Sequence, residues 1–362
     1  MRLEFDVTKC IRTKSKFASC IKCEEVSCGH IVIKDNLPSF QNQTGIEAAP
    51  SIGVCPTEAL SFSGISLTEF FFNFIETQSD TLSVTEQLPC LSMLSVEHLL
   101  ALALGTENNI KVNLGSYKRD SEQFLQIISR VEESNCILSF FSQKKIEIIL
   151  YDTKEPPKQK TKKTSRRDFL SSFSLKGAFK QKKIFEDSVI SDEFREHTLK
   201  LDDIAKLKMQ TIPDKRKILF SVLKQLGILQ ETLLIQEDIL SFVSDKLIDA
   251  SCTNCQMCYR LCPSGALSSD GKFSLINFDA TLCLKCHLCH DVCEADAIMM
   301  HSHFDLVKLI TLEKKKLISF DIQRCDECGN SFTYKGGEKI CQRCQIEEDE
   351  ALALENQSGI IF

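Results

Sequence analysis

The sequence predicts a multidomain α+β protein, and three observations carry that expectation. A run of the form C-x2-C-x2-C-x3-C occurs twice between residues 252 and 293, as CTNCQMCYRLCP and CLKCHLCHDVCE. A cysteine-poor stretch, residues 80–152, alternates strand-like with helix-like segments, and two further C-x2-C pairs follow at residues 325–344. At 362 residues the chain is long for one compact domain, so about two to four modules are expected. The composition divides it at 1–64, 80–152, 153–196, 197–247, 248–320, 321–348 and 349–362.

The doubled run is the strongest signal. A cubane of four irons and four sulfides needs four converging thiolates, and three cysteines two residues apart can wrap one such cluster as a loop. Structural zinc usually takes paired knuckles instead of three cysteines in a row. Pro263, Gly265, Ala266 and Leu267 then supply a turn and the start of a strand. The segment closely resembles a dicluster ferredoxin, a family that folds as a pseudo-twofold pair of hairpins and helices around two 4Fe-4S clusters. That resemblance implies that each loop lends its last cysteine to the other cluster. One ligand set is then Cys252, Cys255, Cys258 and Cys293, and the other is Cys283, Cys286, Cys289 and Cys262. Glu294 stands where the family usually has proline, which removes a stiffener of the turn and no ligand.

The bulk numbers narrow the function classes. A net charge of −6 gives no general reason to expect nucleic acid or an anionic membrane as partner. The 19 cysteines fall mostly in metal-ligand spacings, which points to a reducing compartment. The longest apolar runs, EFFFNFI and HLLALAL, are far shorter than the ~20 residues of a membrane span. No charged-then-apolar leader precedes the first motif. The expectation is a soluble cytoplasmic protein.

The N-terminal region looks like a decayed copy of the centre. FDVTKCI at residues 5–11 matches FDATLCL at 278–284, and VCPTEAL at 54–60 aligns Cys55 with Cys293. Counting back from Cys55 at the same spacing finds Gly45, Ala48 and Ser51, none of which binds iron as a thiolate does. One cluster is therefore expected here, three in the whole chain. Two registers compete for it, one using Cys20, Cys23, Cys28 and Cys55, the other Cys10, Cys20, Cys23 and Cys55. The second is favoured, because Cys10 follows FDVTK as Cys283 follows FDATL, with Cys28 then in the place of Cys262.

Between the cysteine modules, LSVTEQLPCL reads as strand, SVEHLLALALG as helix, IKVNL as strand, EQFLQIISRVEES as amphipathic helix and KIEIILYD as strand. This predicts a small βαβαβ unit without a phosphate loop or nucleophile elbow. Cys90 and Cys136 stand alone and read as packed thiols, and His98 as a packed core histidine. Residues 153–196 form a Lys- and Arg-rich linker in which SRRDFL resembles a twin-arginine signal but is internal and lacks a continuous apolar run. Residues 197–247 read as a helical brace, with a helix starting at Pro213 and closed by Gly227.

The closing pairs, Cys325 with Cys328 and Cys341 with Cys344, flank a glycine-bearing hairpin and resemble a zinc ribbon, which implies one closed tetrahedral zinc site with no catalytic position. Mononuclear iron of the rubredoxin kind is disfavoured by Gln342, Arg343 and Gln345 around the second pair. The tail, 349–362, is acidic and then weakly apolar. The leading expectation is an electron-transfer protein serving a partner oxidoreductase, for which family analogy suggests a molybdenum or tungsten enzyme such as a formate dehydrogenase. A redox-responsive interaction protein is the second expectation. A reductase in its own right is weaker, because every cysteine set is fully used.

Overall fold

The computed structural model describes residues 1–41, 45–151, 210–225, 232–311 and 313–358. The first module runs β1 (Leu3–Phe5), α1 (Lys22–Glu25), β2 (Ile31–Lys34), β3 (Leu37–Phe40), α2 (Ala49–Val54) and β4 (Leu60–Phe62). β2 and β3 form a hairpin, while β1 pairs antiparallel with the distant β4, joining Leu3 to Phe62. After α3 (Leu67–Glu76), whose Phe70, Phe71, Phe72, Phe74 and Ile75 are all buried, the middle unit begins.

That unit has the expected βαβαβ order: β5 (Thr81–Leu82), α4 (Val96–Gly105), β6 (Ile110–Asn113), α5 (Glu122–Phe141) and β7 (Ile146–Ile149), with the strands parallel in the order β5-β6-β7. Its first strand is shorter than LSVTEQLPCL suggested. Thr85 and Leu88 close a turn on each other, and Pro89 has no N–H to give a ladder. α4 is capped by Ser95, which accepts the His98 N–H while the His98 ring accepts the Ser95 N–H. Every residue from Val96 to Leu104 is buried, so this helix is apolar nearly all round because protein surrounds it.

α6 (Asp214–Leu223) is the part of the expected brace that is helical; Pro213 is its N-cap, and Gly227 and the basic linker lie outside the described residues. Among the described residues beyond it, 232–248 hold β8 (Leu234–Gln236), a 3-10 turn at Glu237–Ile239 and β9 (Lys246–Ile248) in place of the expected helix. The reason lies in partners further along, since β8 pairs with the strand His303–Asp305 and β9 with the strand Ile298–Met300.

The central module repeats the trace of the first: β9, α7 (Met257–Arg260), β10 (Leu267–Ser269), β11 (Leu275–Asp279), α8 (Leu288–Asp291) and β12 (Ile298–Met300). β10 and β11 form its hairpin, and β9 pairs with β12 as β1 pairs with β4. β13 (His303–Asp305) and α9 (Lys308–Thr311) follow, and β14 (Lys314–Ser319) adds a third strand beside β11. The hairpin β15 (Asp321–Arg324) with β16 (Ser331–Tyr334) and the exposed α10 (Gln342–Ser358) complete the chain. One continuous apolar core runs from Leu3 through α3, α4 and α6 to Leu309, so the first module, the middle unit and the centre share an interior.

Candidate metal centres

The two central loops have the same backbone. Asn254 and Gln256 in the first, and Lys285 and His287 in the second, occupy equivalent positions with φ of 58°, 71°, 46° and 63°. These left-handed residues curl each C-x2-C-x2-C around a point. α7 and α8 then start just before the third cysteine of each run. Past the fourth cysteine, Gly265 and Asp296 turn the chain with φ of 73° and 47° into β10 and β12. Cys252, Cys255, Cys258 and Cys293 line one cavity, walled by Ile248, Ile276, Val292 and Ile298. On the other side Cys286 has Cys262, Cys289 and Cys283 as its electrostatic neighbours. The exchange of last cysteines thus occurs in the geometry of the chain.

Burial and the crowding of sulfurs push the Cys252, Cys258 and Cys289 thiols up, the last two to about 12. Cys286 is raised well above its ordinary value, by burial first and then by Cys262 and Cys289. Converging thiols, of which Cys258, Cys283 and Cys289 are buried, are a poor structural device alone and a suitable donor set for a cationic group, which binds them as thiolates. Cys293 Sγ also accepts the Ala297 N–H at 3.3 Å, the kind of contact that tunes a cluster.

In the first module Cys10, Cys20, Cys23 and Cys55 line one cavity with Phe5, Ile11, Pro38 and Leu60. Cys23 is raised to about 12, by burial and then by Cys55, Cys20 and Cys10, and Cys10 to about 11, by burial above all. Cys55 Sγ accepts the Ala59 N–H at 3.3 Å, as Cys293 does from Ala297, and Glu58 matches Asp296 with φ of 53°. Cys28 is exposed and does not line the cavity. Where the second site would be, Ala48 and Ser51 are fully buried and Ser51 Oγ donates to the Cys23 carbonyl at 2.8 Å. The lost ligands became packing.

Cys325, Cys328, Cys341 and Cys344 differ in scale. Their sulfurs all lie within 4.8 Å of one another, with Cys325 to Cys344 at 3.9 Å and Cys328 to Cys341 at 3.7 Å. A tetrahedron with metal–sulfur bonds of about 2.3 Å has edges of ~3.8 Å, so this quartet fits a single ion. Backbone N–H groups of Cys328 and Cys341 pull the Cys325 thiol down to about 6. Among the described residues this is the one group of Cys, His, Asp or Glu drawn so tightly together. The Cys252 and Cys10 sets surround a cavity instead, as a larger inorganic group requires.

The modules meet at their sites. Ile11 and Ala18 pack with Leu288 and Val292 in a small apolar cluster that Cys20 and Cys286 join. Ser19 donates its N–H and hydroxyl to Asp291 at 2.9 and 2.8 Å, and Lys22 Nζ reaches the Lys285 carbonyl at 3.1 Å. At the far side Asn254 Nδ2 donates to Thr333 Oγ1 of β16 at 3.0 Å, placing the hairpin against the Cys252 loop.

Sequence reasoning missed the buried charges between these sites. Lys215 and Arg216 sit in PDKRK, which reads as an ordinary solvated helix start, and both are buried. The available signal was Glu97, a lone acid in the apolar helix VEHLLALALG.

A family model described as a 4Fe-4S dicluster domain matches residues 251–298. No curated protein and no solved structure matches the chain. The central segment is therefore a 4Fe-4S ferredoxin-like module, the class of site whose chemistry is iron–sulfur electron transfer. No helix among the described residues is long and apolar enough to cross a membrane.

Proposed function

We propose that the chain is an electron-transfer protein with three 4Fe-4S clusters, two in the centre and one on Cys10, Cys20, Cys23 and Cys55, and one zinc on Cys325, Cys328, Cys341 and Cys344. When bound, such clusters change charge by one electron with little rearrangement and relay electrons singly. The observation that carries the reading is the shared apolar cluster of Ile11, Ala18, Leu288 and Val292, which sets Cys20 of one cysteine set close to Cys286 of another. The chain's own part is to surround each group with four thiols, aim the Ala59 and Ala297 N–H groups at ligand sulfurs, and keep three sites in series. The partner is a redox protein or oxidoreductase complex, with a molybdenum or tungsten formate dehydrogenase as the leading class, met in a reducing cytoplasm.

An anaerobic redox titration followed by electron paramagnetic resonance tests this. Three reducible signals, two of them magnetically interacting, are expected. Metal analysis that finds only zinc would overturn it.

A second reading has one observation in its favour. The Asn254–Thr333 contact couples the ribbon to the Cys252 loop, so a change at that site would be felt by the ribbon surface. If partner affinity differs between oxidised and reduced protein, the chain is a redox-responsive interaction protein; equal affinities favour the carrier.

A further inference from the structure

α6 carries two adjacent cations that the fold has buried, Arg216 with none of its surface exposed and Lys215 with 4%. One carboxylate serves both. Glu97 Oε1 lies 2.6 Å from Arg216 Nε and Oε2 lies 3.3 Å from Lys215 Nζ, and Glu97 itself is 1% exposed. Burial pushes the Glu97 carboxyl up, but Lys215 and Arg216 more than offset it and hold it below the usual range. Within this triad two cations face one anion, and the other acid beside Lys215, Glu58, has its carboxyl pushed up by burial.

The protons that Glu97 does not take are aimed at ligand loops. Lys215 Nζ donates to the Cys55 carbonyl at 2.7 Å. Arg216 donates to the carbonyls of Cys283 at 3.0 Å, Phe242 at 2.7 Å and Thr281. Neighbouring side chains on one helical turn thus grip one ligand cysteine from each of two sets. The helix start is fixed from the same side, because Glu58, three residues past Cys55, accepts the Asp214 N–H at 2.6 Å and the Lys215 N–H at 3.1 Å. A buried ion triad is not needed for stability, since well-packed apolar side chains often replace one at no loss. What apolar side chains would not supply is a fixed charge directed at both loops.

We propose that Lys215 and Arg216, clamped by Glu97, are positioning residues that lock the N-terminal cysteine set to the Cys283 set and raise the reduction potentials of the groups held there. This rests on both sets carrying clusters. Electrons add negative charge to a cluster, so an uncompensated cation nearby favours the reduced form. The Cys252 set receives none of these hydrogen bonds and lies outside the clamp.

The test is an anaerobic redox titration of the full chain, with the N-terminal signal assigned by its loss in Cys10→Ser. Glu97→Gln removes the only anion of the clamp and is expected to shift the oxidised-to-reduced ratio of the N-terminal and Cys283-set clusters about tenfold toward reduced, ~59 mV for one electron. Lys215→Met removes a cation and should shift the N-terminal cluster about tenfold the other way. In both variants the Cys252-set cluster stays within a few-fold of wild type. Opposite shifts from two members of one network are something that loosened packing does not give. Equal shifts at all three clusters, shifts of the same sign, or full iron content with unmoved potentials would each overturn the proposal. Should Lys215→Met lose iron, Lys215→Arg decides: a retained charge is expected to restore both iron and potential, and an iron-loaded protein with a Met-like shift overturns the clamp. A wild-type chain without an N-terminal cluster defeats the reading of that site separately, leaving the Glu97→Gln shift at the Cys283 set as the test of Arg216.

Discussion

The N-terminal and central modules follow the same path through space with different contents. Both pair their first and last strands, carry an inner hairpin and aim an alanine N–H at the last ligand sulfur. In the centre Cys293 of the second run lines a cavity with Cys252, Cys255 and Cys258 of the first. In the first module Ala48 and Ser51 fill the interior where thiols would stand, and the loop they support is held by an ordinary hydrogen bond to the Cys23 carbonyl. The difference teaches that the trace does not need three thiols at positions 45, 48 and 51: strand pairing and a shared core accompany it in both modules.

The largest expected effect separates the two registers of the first module. Cys10→Ser should lose one cluster of three, read as loss of about a third of the iron, whereas Cys28→Ser should keep all of it, because Cys28 is exposed and outside the cavity. The reverse outcome would establish the other register, with Cys28 as a ligand in place of Cys10. Second in size is the ribbon, whose three buried cysteines, with Phe332 and Ile340 beside them, are almost its entire core. Structural zinc supplies about 10–16 kcal/mol in comparable small modules. Cys341→Ser should therefore unfold residues 321–348, seen as loss of zinc and rapid proteolysis there, and leave the cluster spectra in place. Loss of a cluster signal in that variant would mean that the ligands are assigned wrongly.

Smaller effects sharpen the point about packing. Ser51→Ala removes the part-buried hydrogen bond to the Cys23 carbonyl and should cost about 0.5–1.5 kcal/mol, measured as a lowered denaturant midpoint with the iron content unchanged. The middle unit, which joins the two modules, should show a pH dependence through His98. Its ring is held down to about 3, first by burial and then by the charge of Lys215. The unfolded chain, with an ordinary value of about 6.5, binds the proton first. Stability is therefore full above about 6.5 and falls by ~1.4 kcal/mol per pH unit below it, until the folded ring titrates near 3. Denaturant midpoints at pH 7.5 and 5.5 should differ by roughly one such unit, and His98→Gln should flatten the difference.

Much of this was legible in the cysteines. Spacing alone led to the central loops, the ribbon quartet and the lost positions 45, 48 and 51, because metal ligation demands residue types that nothing else replaces. The favoured N-terminal register rested on the match of FDVTKC to FDATLC, and the cavity lining agrees with it. The βαβαβ unit was readable from alternation and helical caps. What escaped was decided over long distances in the chain. Leu234–Gln236 and Lys246–Ile248 are strands because their partners lie at 298–305, which local propensity does not see. Glu97 and Arg216 are 119 positions apart, so each looked like an isolated charge, and only the shared interior makes them a pair. The docking of Ser19 on Asp291, 272 positions apart, is equally invisible in a local pattern.

The central claim is that one chain holds three cubane sites, two in the central module and one in the first, and one mononuclear site. Native mass spectrometry of the anaerobically purified full chain tests it most directly. The account predicts a single dominant species carrying three 4Fe-4S masses and one zinc, losing one cluster mass in Cys10→Ser and none in Cys28→Ser. A wild-type species with only two clusters, or with zinc alone, would contradict it.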